Sequence, residues 1–449
     1  MTTNSASNSA TDTPTGDTTP VDAFDGIRIA DFAWVGVGPL ASKYFADHGA
    51  EVIRIESATR PEALRRAPPF VNDEPGLDNS GYYANFNSSK LCAGLNMSHP
   101  RAVDLAKRIV AQSDIVTESF TPKAMRAWGL TYEALREVKP DIIMISMPLY
   151  GQTGPWSMYQ GYGHVLQAAA GISHMTGYRD GEPIGTGVAY TDFFVPHLAA
   201  VALMAALDHR ERTGEGQYID FGQLEAGIYA TETMMLDYTV NGREQHRQGN
   251  RHPQAAPHGA FRCAARPAGD LSSGGPTKAS DDLSSGGPTK ASDDRWIAIA
   301  CFDDQDWESC TEVLGGERLR NDDRFQSFDG RLINQDDLES AIGELTRSWQ
   351  AEELMVRLQE AGVAAGVVET CEDLRHDPQL AHRHHYWDLD HPTMGSCCYD
   401  GPSFRLSATP GVLTGAAPVL GADNEYVYRE VAGLSEEEFV ELLVDGAFD

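Results

Sequence analysis

The sequence predicts an α/β fold, with a doubly wound, largely parallel, Rossmann-like sheet in a large domain and a smaller α+β domain beside it. Three observations carry this. Short apolar strands alternate with helical segments from Gly26 to Ser146, which implies parallel strands joined by crossovers. A long apolar helix then closes at Thr213-Gly-Glu-Gly216, and after Arg295 one strand is followed by several helices. The expected organisation is a lead-in over 1–23, a large domain over 24–225, a linker over 226–250, a small domain over 251–395 and a return segment over 396–449 that completes the large domain.

The elements follow in order. Gly26-Ile-Arg-Ile-Ala-Asp31 reads as a short buried strand, Gly38-Pro39 as a turn, Leu40 to His48 as an amphipathic helix and Glu51-Val-Ile-Arg-Ile-Glu56 as a second strand. The alternation returns with a helix over Arg101 to Ser113, a strand at Asp114 to Val116, a helix over Ala124 to Val138 and a strand at Asp141 to Ser146. A glycine- and alanine-rich stretch follows Gly151, then a helix from about Phe193 to Arg212 with Gly214 as its stop. A twelve-residue unit rich in Ser, Gly and Asp is repeated in tandem over 270–281 and 282–293; its composition cannot build a core, so a mobile surface insertion is expected. Trp296 to Ala300 reads as a strand and Ser435 to Val444 as the last helix.

Composition narrows the function. With 66 acidic against 35 basic residues the formal charge is -31, which disfavours binding to a phosphate backbone, so nucleic acid is excluded as a partner. Lysines are few among many arginines and the acid excess is spread along the chain, a pattern that first suits a high-salt cytoplasm, with an Arg-rich, acidic proteome as the alternative. Seven cysteines without regular spacing argue against a disulfide framework and fit a reducing cytoplasm. Residues 1–20 have neither a basic nor an apolar region of a signal peptide. The longest apolar run, Val195 to Leu207, holds His197 and is too short to span a bilayer, so no membrane is expected. His382, His384, His385, His391, Cys397 and Cys398 match no zinc spacing, and no metal is assigned.

Several segments together resemble the class III CoA-transferases, a family that includes formyl-CoA, carnitine and benzylsuccinate CoA-transferases and the α-methylacyl-CoA racemases. They are Gly26-Ile-Arg-Ile-Ala-Asp31, Gly38-Pro39, Gly49-Ala-Glu-Val-Ile-Arg-Ile-Glu56, Asn87-Ser-Ser-Lys-Leu91 with Leu95-Asn96, Asp114-Ile-Val-Thr-Glu118, Gly151-Gln-Thr-Gly-Pro155 and Arg210-Glu-Arg-Thr-Gly-Glu-Gly-Gln217. The resemblance covers the chain from about Phe24 to the C-terminus apart from the tandem insertion.

The resemblance implies an acyl-CoA:carboxylate CoA-transferase whose nucleophile is Asp192, in an interlocked homodimer in the cytoplasm. A carboxylate suits this chemistry: it attacks a thioester to form a mixed anhydride, and the departing thiolate then converts the anhydride to an aspartyl-CoA thioester. Coenzyme A enters as the thioester substrate, with no permanently bound cofactor, and a free carboxylic acid is the second partner. Succinyl-CoA and a small dicarboxylate such as mesaconate are the expected pair.

For coenzyme A the resemblance implies Val35 in the first turn, Leu95 and Asn96, and Phe120 with Ala124; read by themselves, Val35, Leu95 and Phe120 are ordinary core. Ser57 stands where an arginine is common, so Arg60 or Arg65 is left to meet phosphate. Tyr162 occupies the position of the racemases' histidine, which argues against racemisation, and Gly163 replaces a common acidic residue. His164 is a displaced acid/base or a structural residue.

Asp192 also precedes an apolar helix, where aspartate is a preferred N-cap, so it is nucleophile, cap or both. The duplicated Leu271 to Lys278 segment superficially resembles the family's glycine-rich lid. Two other readings stay open: a non-catalytic subunit of a heteromeric transferase, and an intramolecular CoA-transferring isomerase or dehydratase on the same scaffold.

Overall fold

The computed structural model describes residues 22–266 and 294–449. The lead-in up to residue 21 and the tandem insertion over 270–293, including the lid-like Leu271 to Lys278, lie outside the described residues.

The chain opens with the expected βαβ unit: β1 (Arg28–Asp31), α1 (Val37–Ala46) and β2 (Glu51–Glu56). There follow α2 (Gly81–Phe86), β3 (Leu91–Gly94), α3 (Ala102–Ala111), β4 (Ile115–Glu118), α4 (Lys123–Trp128), α5 (Tyr132–Arg136) and β5 (Ile143–Ser146). The single helix expected over Ala124 to Val138 is thus two. Gly129 takes a left-handed conformation (φ 69°) that ends α4, and the Thr131 hydroxyl caps α5 by accepting from the Ala134 N–H.

Next come α6 (Gly163–Ala169), α7 (Ile172–Met175), α8 (Tyr190–Thr213), β6 (Tyr218–Asp220), α9 (Gln223–Ile228) and α10 (Glu232–Asn241). Gly214 (φ 74°) stops α8 as expected. Among the described helices α8 alone is long and apolar enough to cross a bilayer by length and composition, beyond what the run from Val195 to Leu207 suggested. One of its faces packs as a core helix against α1.

The chain then forms β7 (His258–Arg262), β8 (Trp296–Ala300), α11 (Asp304–Val313), α12 (Glu317–Arg320), α13 (Phe328–Ile333), α14 (Gln335–Thr346), α15 (Ala351–Glu360) and β9 (Ala364–Val367). It ends with α16 (Cys371–His376), α17 (Pro378–His382), a hairpin of β10 (Tyr386–His391) and β11 (Gly395–Asp400), and α18 (Glu436–Val444).

The chain divides into two compact units. One holds the residues up to Ala170, Gly187–Glu232 and Gln379–Asp449; the other holds Gly171–Thr186 and Thr233–Pro378. These bounds differ from the expected ones: the segment read as a linker carries α10, the loop 171–186 belongs to the second unit, and the β10–β11 hairpin belongs to the first. Sequence pattern does not show which unit a loop packs on.

In the first unit six strands run parallel in the order β3-β2-β1-β4-β5-β6. Successive side chains on a strand face opposite ways, so adjacent apolar residues fill two cores. Ile29, Val52, Ile115 and Ile143 pack against Val37, Phe45, Val195 and Leu203 of α1 and α8. Ala30, Ile53, Val116 and Met144 pack against Leu105, Ile109, Leu442 and Phe448 on the other face. The C-terminal segment also covers edge strand β3: the Cys92 N–H donates to Asp423 (2.7 Å) and the Gly94 N–H to Asn424 (2.7 Å).

The second unit is built on an antiparallel sheet, β7-β8-β9, whose Phe261, Ile297 and Ile299 pack with Trp307, Leu338, Ile342 and Leu354.

Candidate active site

In an open parallel sheet the loops after two neighbouring strands diverge where the strand order reverses, and that crevice receives ligands. Here the reversal lies between β1 and β4. The loop after β1, Phe32 to Gly36, and the loop after β4, Ser119 to Pro122, splay apart there. The Ser119 hydroxyl ties them, accepting from the Trp34 N–H (2.9 Å) and donating to the Trp34 carbonyl (2.8 Å).

Buried charges fix the first loop. The Arg54 guanidinium, sealed from solvent, donates to the Ala33 carbonyl (2.8 Å) and pairs with Asp31, Glu56 and Glu62. Glu62 in turn accepts from the Val35 N–H (2.9 Å), and Lys90 pairs with Asp31 (3.3 Å). Removing one member of such a buried set typically costs about 3–5 kcal/mol, because its partner is left charged and unpaired. The network holds Val35 (φ 53°) and Gly36 (φ 38°) in a left-handed turn that a non-glycine residue adopts only under constraint.

That turn meets Asp192. The residue stands third in α8, 5 % exposed, and its N–H donates to the Ala189 carbonyl (2.8 Å). It is therefore not the N-cap: α8 starts two residues earlier, at Tyr190, and its capping residue is Ala189, which offers no side-chain acceptor. Pro196, four residues on, has no N–H to give the Asp192 carbonyl, so the regular helical bond is missing at this residue.

Two glycines pin the carboxylate. A β-carbon at Gly163 would stand 2.6 Å from the carboxyl carbon and from both oxygens, and one at Gly36 would stand 2.7 Å from that carbon. Gly163 is thus where the carboxylate needs room. Burial pushes the Asp192 carboxyl up to about 6; His164 and the Gly163 N–H favour the anion and limit the rise. The side chain is mostly ionised at neutral pH, but not by the wide margin that an ordinary aspartate has.

Two hollows meet at this residue. A cleft of about 950 Å³ runs over Val35, Arg60, Arg66, Phe120, Ala124 and Tyr162 to Asp192. It shares Trp34, Thr59, Arg60, Phe120 and Ala124 with a narrower pocket of about 180 Å³ lined by Leu95 and Asn96. On the other side a cavity of about 510 Å³ is bounded by Val35, Leu64, Tyr82, His164, Val188, Phe193 and Asp192.

The structure places Val35, Leu95, Asn96, Phe120, Ala124, Tyr162 and His164 along these connected hollows around Asp192. Val35 and Tyr162 face both cleft and cavity, Phe120 and Ala124 face cleft and narrow pocket, and His164 faces the cavity. Leu95 is a core residue as well as a wall of the pocket. Phe120 lies edge-on between Trp34 and Trp128, at 5.4 Å from each. Its N–H donates to Glu118 (2.6 Å), a buried carboxyl pushed up to about 7 by desolvation.

One expected alternative falls. Arg65 is buried, paired with Glu56 and Asp78 and stacked over Tyr83 at 3.7 Å, so it is not free for phosphate. Ser57 donates to the Asp449 carbonyl (2.8 Å). The exposed cations of the cleft are Arg60 and Arg66; Arg66, like Tyr82 and Gln223, was not singled out in the sequence, where nothing separates it from its neighbour Arg65. The histidines and cysteines of 382–398 do not converge, and among the described residues no three His, Cys, Asp or Glu side chains form a metal cage.

A model of CoA-transferase family III matches residues 24–268 and 275–424. The chain belongs to CoA-transferase family III. It is a transferase of coenzyme A, and the α/β architecture is that of the family's solved members. A CaiB/BaiF family protein from Brucella suis superposes with a TM-score of 0.78 at 27% identity, over 91% of this chain and 99% of that one. Human succinyl-CoA:glutarate CoA-transferase is 28% identical over 97% of this chain and 92% of its own length. Succinyl-CoA:mesaconate CoA-transferase of Haloarcula marismortui is 29% identical over 89% and 93%. Another similar protein is the alpha subunit of succinyl-CoA–L-malate CoA-transferase of Chloroflexus aurantiacus, at 29% over 93% and 90%.

Proposed function

We propose that the protein transfers coenzyme A from an acyl-CoA to a free carboxylic acid through covalent intermediates on Asp192, with succinyl-CoA as donor and a small dicarboxylate such as mesaconate as acceptor. The observation that carries this is a single buried carboxylate, held between Gly36 and Gly163 where a cation-bordered cleft meets an apolar cavity. The dicarboxylate substrates named for similar proteins support the choice of acids.

A carboxylate oxygen of Asp192 attacks the thioester carbonyl, the C–S bond breaks and CoA thiolate leaves a mixed anhydride. The thiolate attacks the aspartyl carbonyl of that anhydride, the C–O bond breaks and the donor acid departs, leaving an aspartyl-CoA thioester. The acceptor carboxylate attacks this thioester and expels the thiolate; the thiolate then attacks the acceptor's acyl carbonyl, forming the new acyl-CoA and freeing Asp192. No proton is transferred at any step, so no general base is required. Water must be kept out, since anhydride and thioester both hydrolyse.

Val35, Leu95, Asn96, Phe120 and Ala124 line the coenzyme A side, with Arg60 and Arg66 as its phosphate contacts. Coenzyme A comes and goes as substrate, and no cofactor stays bound. A second copy of the chain covers the outer face of α8, where Val201 and Met204 stand exposed in its mainly apolar middle stretch. The protein works in the cytoplasm as this homodimer. A buried carboxylate at position 192, between Gly36 and Gly163, supports a catalytic chain over a non-catalytic subunit.

Incubation with succinyl-CoA alone should leave on Asp192 an adduct that hydroxylamine intercepts. Asp192→Ala and Asp192→Asn should each lower transfer by several orders of magnitude, as about 10³-fold or more is the usual cost of removing a covalent nucleophile. A folded Asp192→Asn protein that still exchanged CoA at a near-normal rate would end this reading.

A further inference from the structure

The cavity beyond Asp192 has a lining that the chemistry of transfer leaves unexplained. Its walls are Val35, Ala63, Leu64, Val188 and Phe193, and among its lining residues there is no lysine or arginine. A chain of methylenes would lie comfortably there, and no permanent cation stands ready for a second carboxylate. Three polar side chains also reach the cavity: Tyr82, Tyr162 and His164. Burial, and after it the charge of the Asp192 carboxylate, pushes the Tyr82 phenol up. Tyr162 is 65% exposed and borders the cleft as well.

His164 is different. It stands one residue after Gly163, in the first turn of α6, and is the one side-chain nitrogen in the lining. Among the described residues no hydrogen bond engages its ring; its interaction is with the charge of Asp192. An imidazole always has at least one N–H to donate, protonated or not. Resting on the transfer reading above, we propose that this cavity is the acid pocket and that His164 selects dicarboxylic acids by donating a hydrogen bond to the carboxylate remote from the reacting end. The apolar wall holds the methylenes, and His164, the one side-chain nitrogen in the lining, supplies the donor for the remote charge. His164 is a specificity-determining residue under this assignment, with no part in proton transfer.

The test compares two five-carbon acids, glutarate and valerate, as acceptors from succinyl-CoA and as ligands of the free protein by calorimetry. The wild-type protein should prefer glutarate. His164→Leu should lower kcat/KM for glutarate about 30-fold and leave valerate within about 3-fold, the usual worth of a hydrogen bond to a charged group. His164→Gln, which keeps an N–H donor, should retain most of the preference. Equal losses for both acids would show that His164 acts on Asp192 and would overturn the assignment, as would an unchanged preference in His164→Leu. If wild-type protein exchanges CoA with neither acid, the transfer reading fails, and calorimetry still decides the pocket: glutarate binding that survives His164→Leu overturns the assignment, and binding lost only in that variant and kept in His164→Gln sustains it.

Discussion

On one side of Asp192 the cleft is bordered by Arg60 and Arg66; on the other the cavity is lined mainly by aliphatic and aromatic side chains and has no lysine or arginine, and both hollows open to solvent. The cleft offers charge to an anionic ligand, and the cavity offers an apolar surface to an acyl chain. Under the proposed transfer, the phosphates of coenzyme A and the acyl part of its partner call for these different surroundings. Asp192 stands at the boundary, and each half can be perturbed separately.

The largest effect is expected at the boundary itself. Gly163→Ala leaves the backbone at ease, since the residue opens a helix without a positive φ, but its β-carbon falls within 2.6 Å of the carboxylate. The carboxylate must shift to relieve that contact, and a misplacement of about 1 Å at a reacting group typically costs about 100-fold in rate. Stopped assays on the variant, with its melting temperature unchanged or raised, would separate geometry from folding; a rate near wild type would mean that the carboxylate has freedom to move.

The second effect is pH dependence. Transfer should fall as pH drops through about 6, where Asp192 takes up its proton, by about tenfold per unit below that. Stability moves the other way. The folded state holds this proton more tightly than the unfolded chain does, so the ionised carboxylate costs stability above pH 6, and the cost disappears as pH falls to the ordinary carboxylate range near 4. Asp192→Asn should therefore melt higher than wild type at pH 8, by on the order of 2 kcal/mol, and the two should converge near pH 4. Equal stability at pH 8 would place the carboxylate in water.

The smallest effect belongs to the cleft. Arg60→Ala and Arg66→Ala should each raise KM for the acyl-CoA about 3- to 10-fold and leave kcat within about twofold, with the difference shrinking as salt is added. A fall in kcat with unchanged KM would move these residues from binding to chemistry.

Much of this was legible before any coordinates. The strands were readable because parallel, doubly covered strands are short runs of Ile, Val and Ala. Asp192 was readable only through its place in a family pattern. The helix break was visible in principle, since Gly129 followed by Thr131 is a stop and a start; the apolar periodicity on both sides outweighed it. The N-cap reading failed because α8 begins at Tyr190 without a capping side chain, pulled into helix by packing, and no local residue signals that. Arg65 and Arg66 are adjacent in sequence, yet one is sealed against Glu56 and the other lies in the cleft. Gly163 looked like a missing carboxylate, and only the distance to Asp192 shows it to be a space kept clear.

The charges beneath the Val35–Gly36 turn also constrain how the family can vary. Asp31, Arg54, Glu56, Glu62, Arg65 and Lys90 form one sealed set in which each cation faces at least one anion. Losing any one leaves an uncompensated charge in the interior, so drift one position at a time is closed to them. Substitutions at these six positions should arise in matched pairs along lineages, and the turn that touches Asp192 should change only when its supporting charges change together.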